Sequence, residues 1–120
     1  FTIQEFTPND FAIRSIFFYD HYLGSVSCHS SDGFYTGLAA GATKKPIDIT
    51  AEEMHMCKEA QRLAQADFVG LDFVRTPGGP KLFEANVCPG LIGHAKQVGN
   101  MPISEIVEEI TKQLKNKNPC

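Results

Sequence analysis

In residues 69–90, VGLDFVRTPGGPKLFEANVCPG, two runs rich in strand-forming residues, VGLDFVR and KLFEANV, flank Pro77-Gly78-Gly79-Pro80. That tetrapeptide can continue neither run, so the spacing predicts a β-hairpin. Folded about Gly78, the hairpin sets Asp72 directly against Glu84, because each lies six residues from that centre. Side chains alternate across a strand, which puts Asn86 on the face of Glu84. Leu71, Phe73, Phe83, Ala85 and Val87 then point to the other side, an apolar face expected to be core.

Opposed residues of an antiparallel pair have Cβ atoms about 5 Å apart, and like charges held there destabilise the sheet. A hard divalent cation between them removes the repulsion, and two carboxylates with an amide carbonyl are oxygen ligands of the kind Mg2+ or Mn2+ takes. Asp72, Glu84 and Asn86 are therefore candidate metal ligands. The competing reading is that both carboxylates are solvated on the wet face of the hairpin, the commoner fate of acidic side chains.

The same residues carry a resemblance. GLDFVRTPGGPKLFEANVCPGL is similar to the metal-binding hairpin of the ATP-grasp superfamily, in its RimK-type branch of carboxylate-amine ligases. Members of that branch read, approximately, GVD, a short hairpin, then two hydrophobic residues and E-V-N-x-x-P-G-L. The resemblance runs along nearly the whole chain. Gln4, Glu5 and Phe6 match a hinge strand with a Q-E-Y-like sequence, whose backbone and acidic side chain hold the adenine of ATP. Arg14 matches the arginine of a D-I-R triplet, with Ala12 where the family has an acid that contacts ribose. Cys28 and His29 stand where the family has a pair of arginines, and Tyr35-Thr36-Gly37 where it has an R-[ST]-N triplet over the ATP phosphates.

Composition bounds the remaining choices. One hundred and twenty residues make one domain, able to bury about 65% of the surface its unfolded chain exposes. A hydrophobic content of 42% with no long apolar run excludes a membrane-spanning helix by sequence. A net charge of -3 argues against a nucleic-acid-binding stripe. Cys28, Cys57, Cys88 and Cys120 form no C-x-x-C pair, which speaks against a zinc site or a disulfide scaffold and fits reduced thiols in the cytoplasm. The chain starts at Phe1 without methionine or a signal-peptide pattern, so a piece of a longer polypeptide is expected.

Outward from the hairpin the elements follow from local pattern. FTIQEF (1–6) alternates as a strand and stops at Thr7-Pro8-Asn9-Asp10. Residues 11–29 read as a second hairpin turning near Tyr19-Asp20-His21, with Arg14 as the one cation of an apolar strand, a planar fork that wants an anion. Residues 30–46 are Gly-, Ser- and Thr-rich without periodicity and read as a loop; lacking G-x-x-x-x-G-K-[ST], it is no P-loop. After the strand-like Ile47-Asp48-Ile49, Thr50 opens a helix with a capping box that returns Glu53 to the Thr50 backbone. Met54, Cys57, Ala60, Leu63 and Ala64 form its apolar stripe, and His55 lies off it. Cys88 to His94 reads as a loop, with His94 assigned a structural or binding role. A final helix runs from about Ile103 to Lys115, with Ser104 as cap and Ile103, Ile106, Val107, Ile110 and Leu114 as its buried stripe.

The expected fold is α+β: an antiparallel β-sheet from hairpins 11–29 and 69–87, with helices 51–66 and 103–115 packed on its apolar face. The resemblance implies the C-terminal lobe of an ATP-grasp domain spanning residues 1–120. It further implies a ligase that uses ATP and Mg2+ (or Mn2+) to activate a carboxylate as an acyl phosphate, which an amine then attacks. In that reading Asp72, Glu84 and Asn86 hold metal, Glu5, Phe6 and Arg14 hold the nucleotide, and Arg14 assists catalysis. The substrates would be small-molecule or peptide carboxylates and amines. The alternative, motivated by Ala12, Cys28, His29 and Tyr35-Thr36-Gly37, is a degenerate lobe that binds or regulates without catalysis.

Overall fold

The computed structural model describes residues 10–29, 43–99 and 103–117; Gln4, Glu5, Phe6 and the Tyr35-Thr36-Gly37 triplet lie outside them. The elements in order are β1 (Ala12–Phe18), β2 (His21–His29), β3 (Thr43–Pro46), α1 (Ala51–Ala64), β4 (Phe68–Thr76), β5 (Gly79–Asn86), α2 (Ile92–Val98) and α3 (Ile103–Lys117). The strands form one antiparallel sheet in the order β3-β2-β1-β4-β5. The predicted α+β class and both hairpins are present. The hairpin β1–β2 turns at Tyr19-Asp20, as read.

Alternation along β1 sends side chains to two cores. Ile13 and Phe17 join Val69, Leu71 and Phe73 of β4 beneath Cys57 of α1. Ile16 and Phe18 join Leu23 of β2 on the opposite face, with Leu91 and Ile106 packed against them. Each of these buried aliphatic and aromatic side chains contributes about 1.5–3 kcal/mol. The expectation that both helices share one face is therefore corrected: α1 covers one side, and α2 with the start of α3 covers the other. A central strand buried on both sides reads as a continuous apolar run, and β1 does so from Ala12 to Phe18 with only Arg14 and Ser15 interrupting.

α1 starts as predicted. Thr50 Oγ1 accepts the Glu53 backbone N–H at 3.2 Å, and the Thr50 N–H donates to Glu53 Oε2 at 2.8 Å. The same carboxylate then receives Arg75 of β4 through Nε at 2.6 Å and Nη2 at 2.9 Å, so the cap also pins the helix to the sheet. Leu63 and Ala64, placed in the buried stripe, are exposed.

Other readings change for reasons the local pattern does not carry. Residues 43–46 of the presumed loop pair with β2 as the edge strand β3, while Ile47-Asp48-Ile49 forms no strand. Residues 92–94, at the end of the presumed Cys88–His94 loop, open helix α2. It sits close to β2 because Gly24, at φ 93°, has no side chain; a Cβ there would lie 2.9 Å from Val98 Cγ1. Ser104 is the second residue of α3. Val107, Ile110 and Leu114 of its stripe are exposed. Phe83 and Ala85 on β5, the last strand of the sheet, and Val87 just after it were expected in the core and are exposed. None of the described helices is long and apolar enough to cross a membrane.

Candidate functional site

In β4–β5, Thr76 pairs with Gly79, so the turn is centred between Pro77 and Gly78, half a residue before the expected point. Thr76 Oγ1 accepts the Gly78 N–H and donates to the Gly79 carbonyl at 2.7 Å, while Gly79 adopts φ 108°. An unbroken ladder from this turn would put Phe83 opposite Asp72. The register instead shifts between Asp72 and Phe73: Phe73 pairs with Leu82, Phe83 is the extra residue, and Asp72 pairs with Glu84. The opposition of the two carboxylates, expected from spacing alone, is thus restored by a bulge. Without it Glu84 would face Leu71 and turn to the core side.

Read in register across all five strands, one row on the α2 side of the sheet runs Pro46, Val26, Arg14, Asp72, Glu84. Within it Arg14 donates from Nε to Asp72 Oδ1 at 2.7 Å and from Nη2 to Asp72 Oδ2 at 2.6 Å. Both side chains are buried, at 11% and 12% exposure. This two-pronged pair raises the Arg14 pKa above its usual value against the opposing effect of burial. The anion that Arg14 demanded by sequence is the aspartate 58 residues away, a partnership no local pattern announces.

The neighbouring rows complete the face. On one side Asn86 pairs with Gly70. A Cβ on Gly70 would lie 2.8 Å from Pro89 Cβ, so this glycine admits the Pro89-Gly90 segment onto the sheet beside the carboxylates. Asn86 Oδ1 accepts the Cys88 N–H at 2.9 Å, which fixes its amide. On the other side Lys44 of β3 stands opposite Cys28 of β2, which stands opposite Ala12 of β1. His94 of α2 is 4% exposed, and its Nε2–H donates to the Leu23 carbonyl at 2.9 Å. That bond makes Nδ1 the lone-pair nitrogen, and Nδ1 has no hydrogen-bond partner among the described residues. Burial lowers the His94 pKa, and Arg14 and Lys44 lower it further, so the ring is neutral.

Among the described residues no three His, Cys, Asp or Glu side chains converge, so a metal here needs the asparagine as third donor. The donor set fits that role chemically. Each Asp72 oxygen accepts one Arg14 N–H and keeps a lone pair, Asn86 Oδ1 keeps one as well, and Glu84 forms no ion pair among the described residues. All donors are hard oxygens suited to Mg2+ or Mn2+. Arg14 and Asp72 cancel, while Glu84 is exposed and has no ion-pair partner among the described residues.

The description that matches residues 2–110 of the chain is that of the RimK-like ATP-grasp domain. The chain belongs to the RimK-like ATP-grasp family. A probable alpha-L-glutamate ligase of Vibrio cholerae serotype O1 is 30% identical over 106 residues, 88% of this chain and 35% of that protein. The ribosomal protein bS6–L-glutamate ligase of Shigella flexneri is 28% identical over 88 residues, covering 72% of this chain and 29% of that protein. Among solved structures, the ATP-grasp ligase PsnB complexed with a phosphomimetic variant of its minimal precursor, Mg and ADP superposes with a TM-score of 0.68 at 16% identity, over 88% of this chain and 33% of that one. The macrocyclase MdnC of Microcystis aeruginosa MRC, bound with precursor peptide MdnA, gives 0.63 at 16% identity, over 87% and 33%. These structural likenesses establish the ATP-grasp fold. The chain spans about a third of the length of the relatives it matches.

Within this RimK-like ATP-grasp chain, Arg14, Asp72, Glu84 and Asn86 lie on one face of adjoining strands, while Glu5 and Phe6 fall outside the described residues. Lys44 was not singled out by sequence. Its proximity to Arg14 arises from the pairing of β3 with β2, and nothing in the local pattern of Thr43-Lys44-Lys45-Pro46 marks it.

Proposed function

We propose that the chain is the C-terminal lobe of an ATP-grasp domain and supplies metal and nucleotide-phosphate contacts to an ATP-dependent ligase joining a carboxylate to an amine in the cytoplasm. The observation that carries this reading is the row Arg14-Asp72-Glu84, with the buried two-pronged Arg14–Asp72 pair at its centre. A sheet has no structural need for two opposed carboxylates, whereas phosphoryl transfer needs fixed positive charge and metal ligands in one place.

Asp72, Glu84 and Asn86 would hold one or two Mg2+ ions, which when bound offset the charge on the ATP phosphates. The remaining work falls to the chain's own residues. Asp72 takes two N–H groups of Arg14 and so locks the direction of the guanidinium. Arg14 keeps one terminal nitrogen, Nη1, without a hydrogen bond to any described residue, available to a phosphate oxygen or to the acyl phosphate formed from the acid. Glu5 and Phe6 would hold the adenine. Pro89, packed on Gly70, keeps the segment after Asn86 against the sheet and excludes water from that edge. Catalysis would come from positioning and electrostatics, with no side-chain nucleophile. The substrates are proposed to be small-molecule or peptide acids and amines. The Shigella relative is named for glutamate ligation to ribosomal protein bS6, and the PsnB and MdnC structures contain precursor peptides.

The test is ADP release by the full-length protein, dependent on both an acid and an amine, with Asp72→Asn and Glu84→Gln as variants. Both are expected to lose activity by at least about a hundredfold. In parallel, Mg2+ with ATP should stabilise the wild type against heat but not Asp72→Asn. Wild-type activity in either variant would refute the reading. One observation favours the non-catalytic alternative: Cys28 is buried, and His29 Nε2 is engaged at 3.1 Å with Ser27 Oγ, whose residue pairs with Ile13 on the face opposite Arg14, so neither side chain takes the place of an arginine beside the row. Stabilisation by Mg2+ and ATP without ADP release under any acid and amine would select it.

A further inference from the structure

The segment that follows Asn86 is anchored at both ends. At its start, Asn86 Oδ1 takes the Cys88 N–H at 2.9 Å, and Pro89 sits on Gly70, where an added Cβ would lie 2.8 Å away. At its end stands His94 of α2, 4% exposed, whose Nε2–H reaches the Leu23 carbonyl of β2 at 2.9 Å. Leu91 gives α2 no side-chain cap, and among the described residues no other side-chain hydrogen bond joins α2 to the sheet. Gly24, the residue after Leu23, is bare toward Val98, so the helix lies directly on the strand whose carbonyl the ring grips. Between the two anchors lies a cavity of about 240 Å3, to which this segment and α2 contribute Gly90, Leu91, Gly93 and His94, and the sheet contributes Arg14 and Lys44.

Histidine is an unfavourable choice for a tether that serves stability alone. Its Nδ1 is sealed in the interior without a partner among the described residues, and a hydrogen bond left unmade in the interior destabilises the fold. An apolar side chain would fill the same space without that orphan. What the ring adds is direction, because a hydrogen bond fixes distance and angle whereas apolar contact is non-directional. We propose that His94 is a positioning residue for the ligase reaction: through its bond to Leu23 it fixes the Gly90–Gly93 side of the cavity against Arg14, and with it the fit of the acid substrate there. The inference rests on the ligase reading for what occupies the cavity. The ring acts through the main chain of the segment and not by touching substrate, since its unpaired nitrogen is closed off from the cavity. Metal binding is independent of it, because Asp72, Glu84 and Asn86 lie on β4 and β5 and the Gly70–Pro89 anchor does not involve α2.

The test compares the full-length protein with His94→Met, which fills the space without a donor, and His94→Gln, whose amide N–H stands in for Nε2–H. In His94→Met, hydrogen exchange read by mass spectrometry should be about tenfold faster at residues 90–93, the effect of one lost hydrogen bond, with the β4–β5 hairpin unchanged. His94→Gln should return it to the wild-type rate. The kinetic arm follows ADP release with ATP, Mg2+ and L-glutamate, a probe that carries both an acid and an amine. The KM for L-glutamate should rise about tenfold or more in His94→Met, with kcat within about threefold and the KM for ATP unchanged, and His94→Gln should restore it. Unchanged exchange at 90–93, or an unchanged KM for L-glutamate in an active variant, overturns the proposal. So does a His94→Met protein that melts more than about 10 °C below wild type or exchanges faster throughout the sheet, which makes the histidine an ordinary core residue. Failure of the ligase reading appears separately, as absence of acid- and amine-dependent ADP release by the wild type, and leaves the exchange comparison to decide.

Discussion

Replacing Arg14 with methionine keeps the volume of its stem and removes the charge that Asp72 faces. Asp72 would then be a buried carboxylate, 8% exposed, opposite a second carboxylate, Glu84, with no cation between them. Removing one partner of a buried pair typically costs about 3–5 kcal/mol, because the remaining charge is stranded rather than because the pair itself is so favourable. For 120 residues, at about 2.1 cal/mol/K per residue, the unfolding entropy is about 0.25 kcal/mol/K, so the expected fall in melting temperature is about 12–20 °C. Two further arms separate stranded charge from lost packing. Arg14→Met/Asp72→Leu removes both charges and should recover to within about 1 kcal/mol of wild type. Saturating Mg2+ should stabilise Arg14→Met more than wild type, since a cation then replaces the missing one; at a hundred times its dissociation constant it contributes about 2.7 kcal/mol. Differential scanning calorimetry reads all three. A loss below about 1 kcal/mol in Arg14→Met, or a double variant no more stable than Arg14→Met, would refute the account of Asp72 as a buried carboxylate held by Arg14.

Gly70→Ala forces a methyl group to 2.8 Å from Pro89 Cβ and should cost about 1–3 kcal/mol in urea unfolding, with weaker metal-nucleotide binding as the Pro89 segment lifts. His94 titrates below the usual histidine value of 6.5 because it is buried. The unfolded state therefore binds the proton first, so the contribution is intact above about pH 6.5 and is lost as pH falls toward the folded value. His94→Gln, which keeps a donor for Leu23 but does not ionise, should flatten that part of the stability–pH curve; an unchanged curve would refute the assignment. The Cys57 thiol is fully buried and pushed up to about 11, whereas Cys88 is exposed. Iodoacetamide at neutral pH should label Cys88 in the native protein and reach Cys57 only on unfolding, as mass spectrometry would register.

What the amino-acid sequence determined by itself is what near neighbours decide. The Thr50–Glu53 box spans four residues, and the turns at Tyr19-Asp20 and Pro77-Gly78 lie within single hairpins. The facing of Asp72 and Glu84 was legible too, though for an incomplete reason, since the turn sits half a residue early and the Phe83 bulge makes up the difference. Burial was legible only where a segment is surrounded. β1, central in the sheet, is buried throughout, whereas Phe83 carries the same apolar signal yet faces solvent because β5 is the last strand. The tertiary structure alone decided which strand lies at the edge and that α2 and α3 cover the side opposite α1. It alone brought Arg14 to Asp72, and Lys44 and His94 to one cavity. Alternation and helical periodicity tell which way a side chain points from its own strand or helix. What it meets there depends on sheet order and on elements tens of residues away, and the chemistry of this site resides in those meetings.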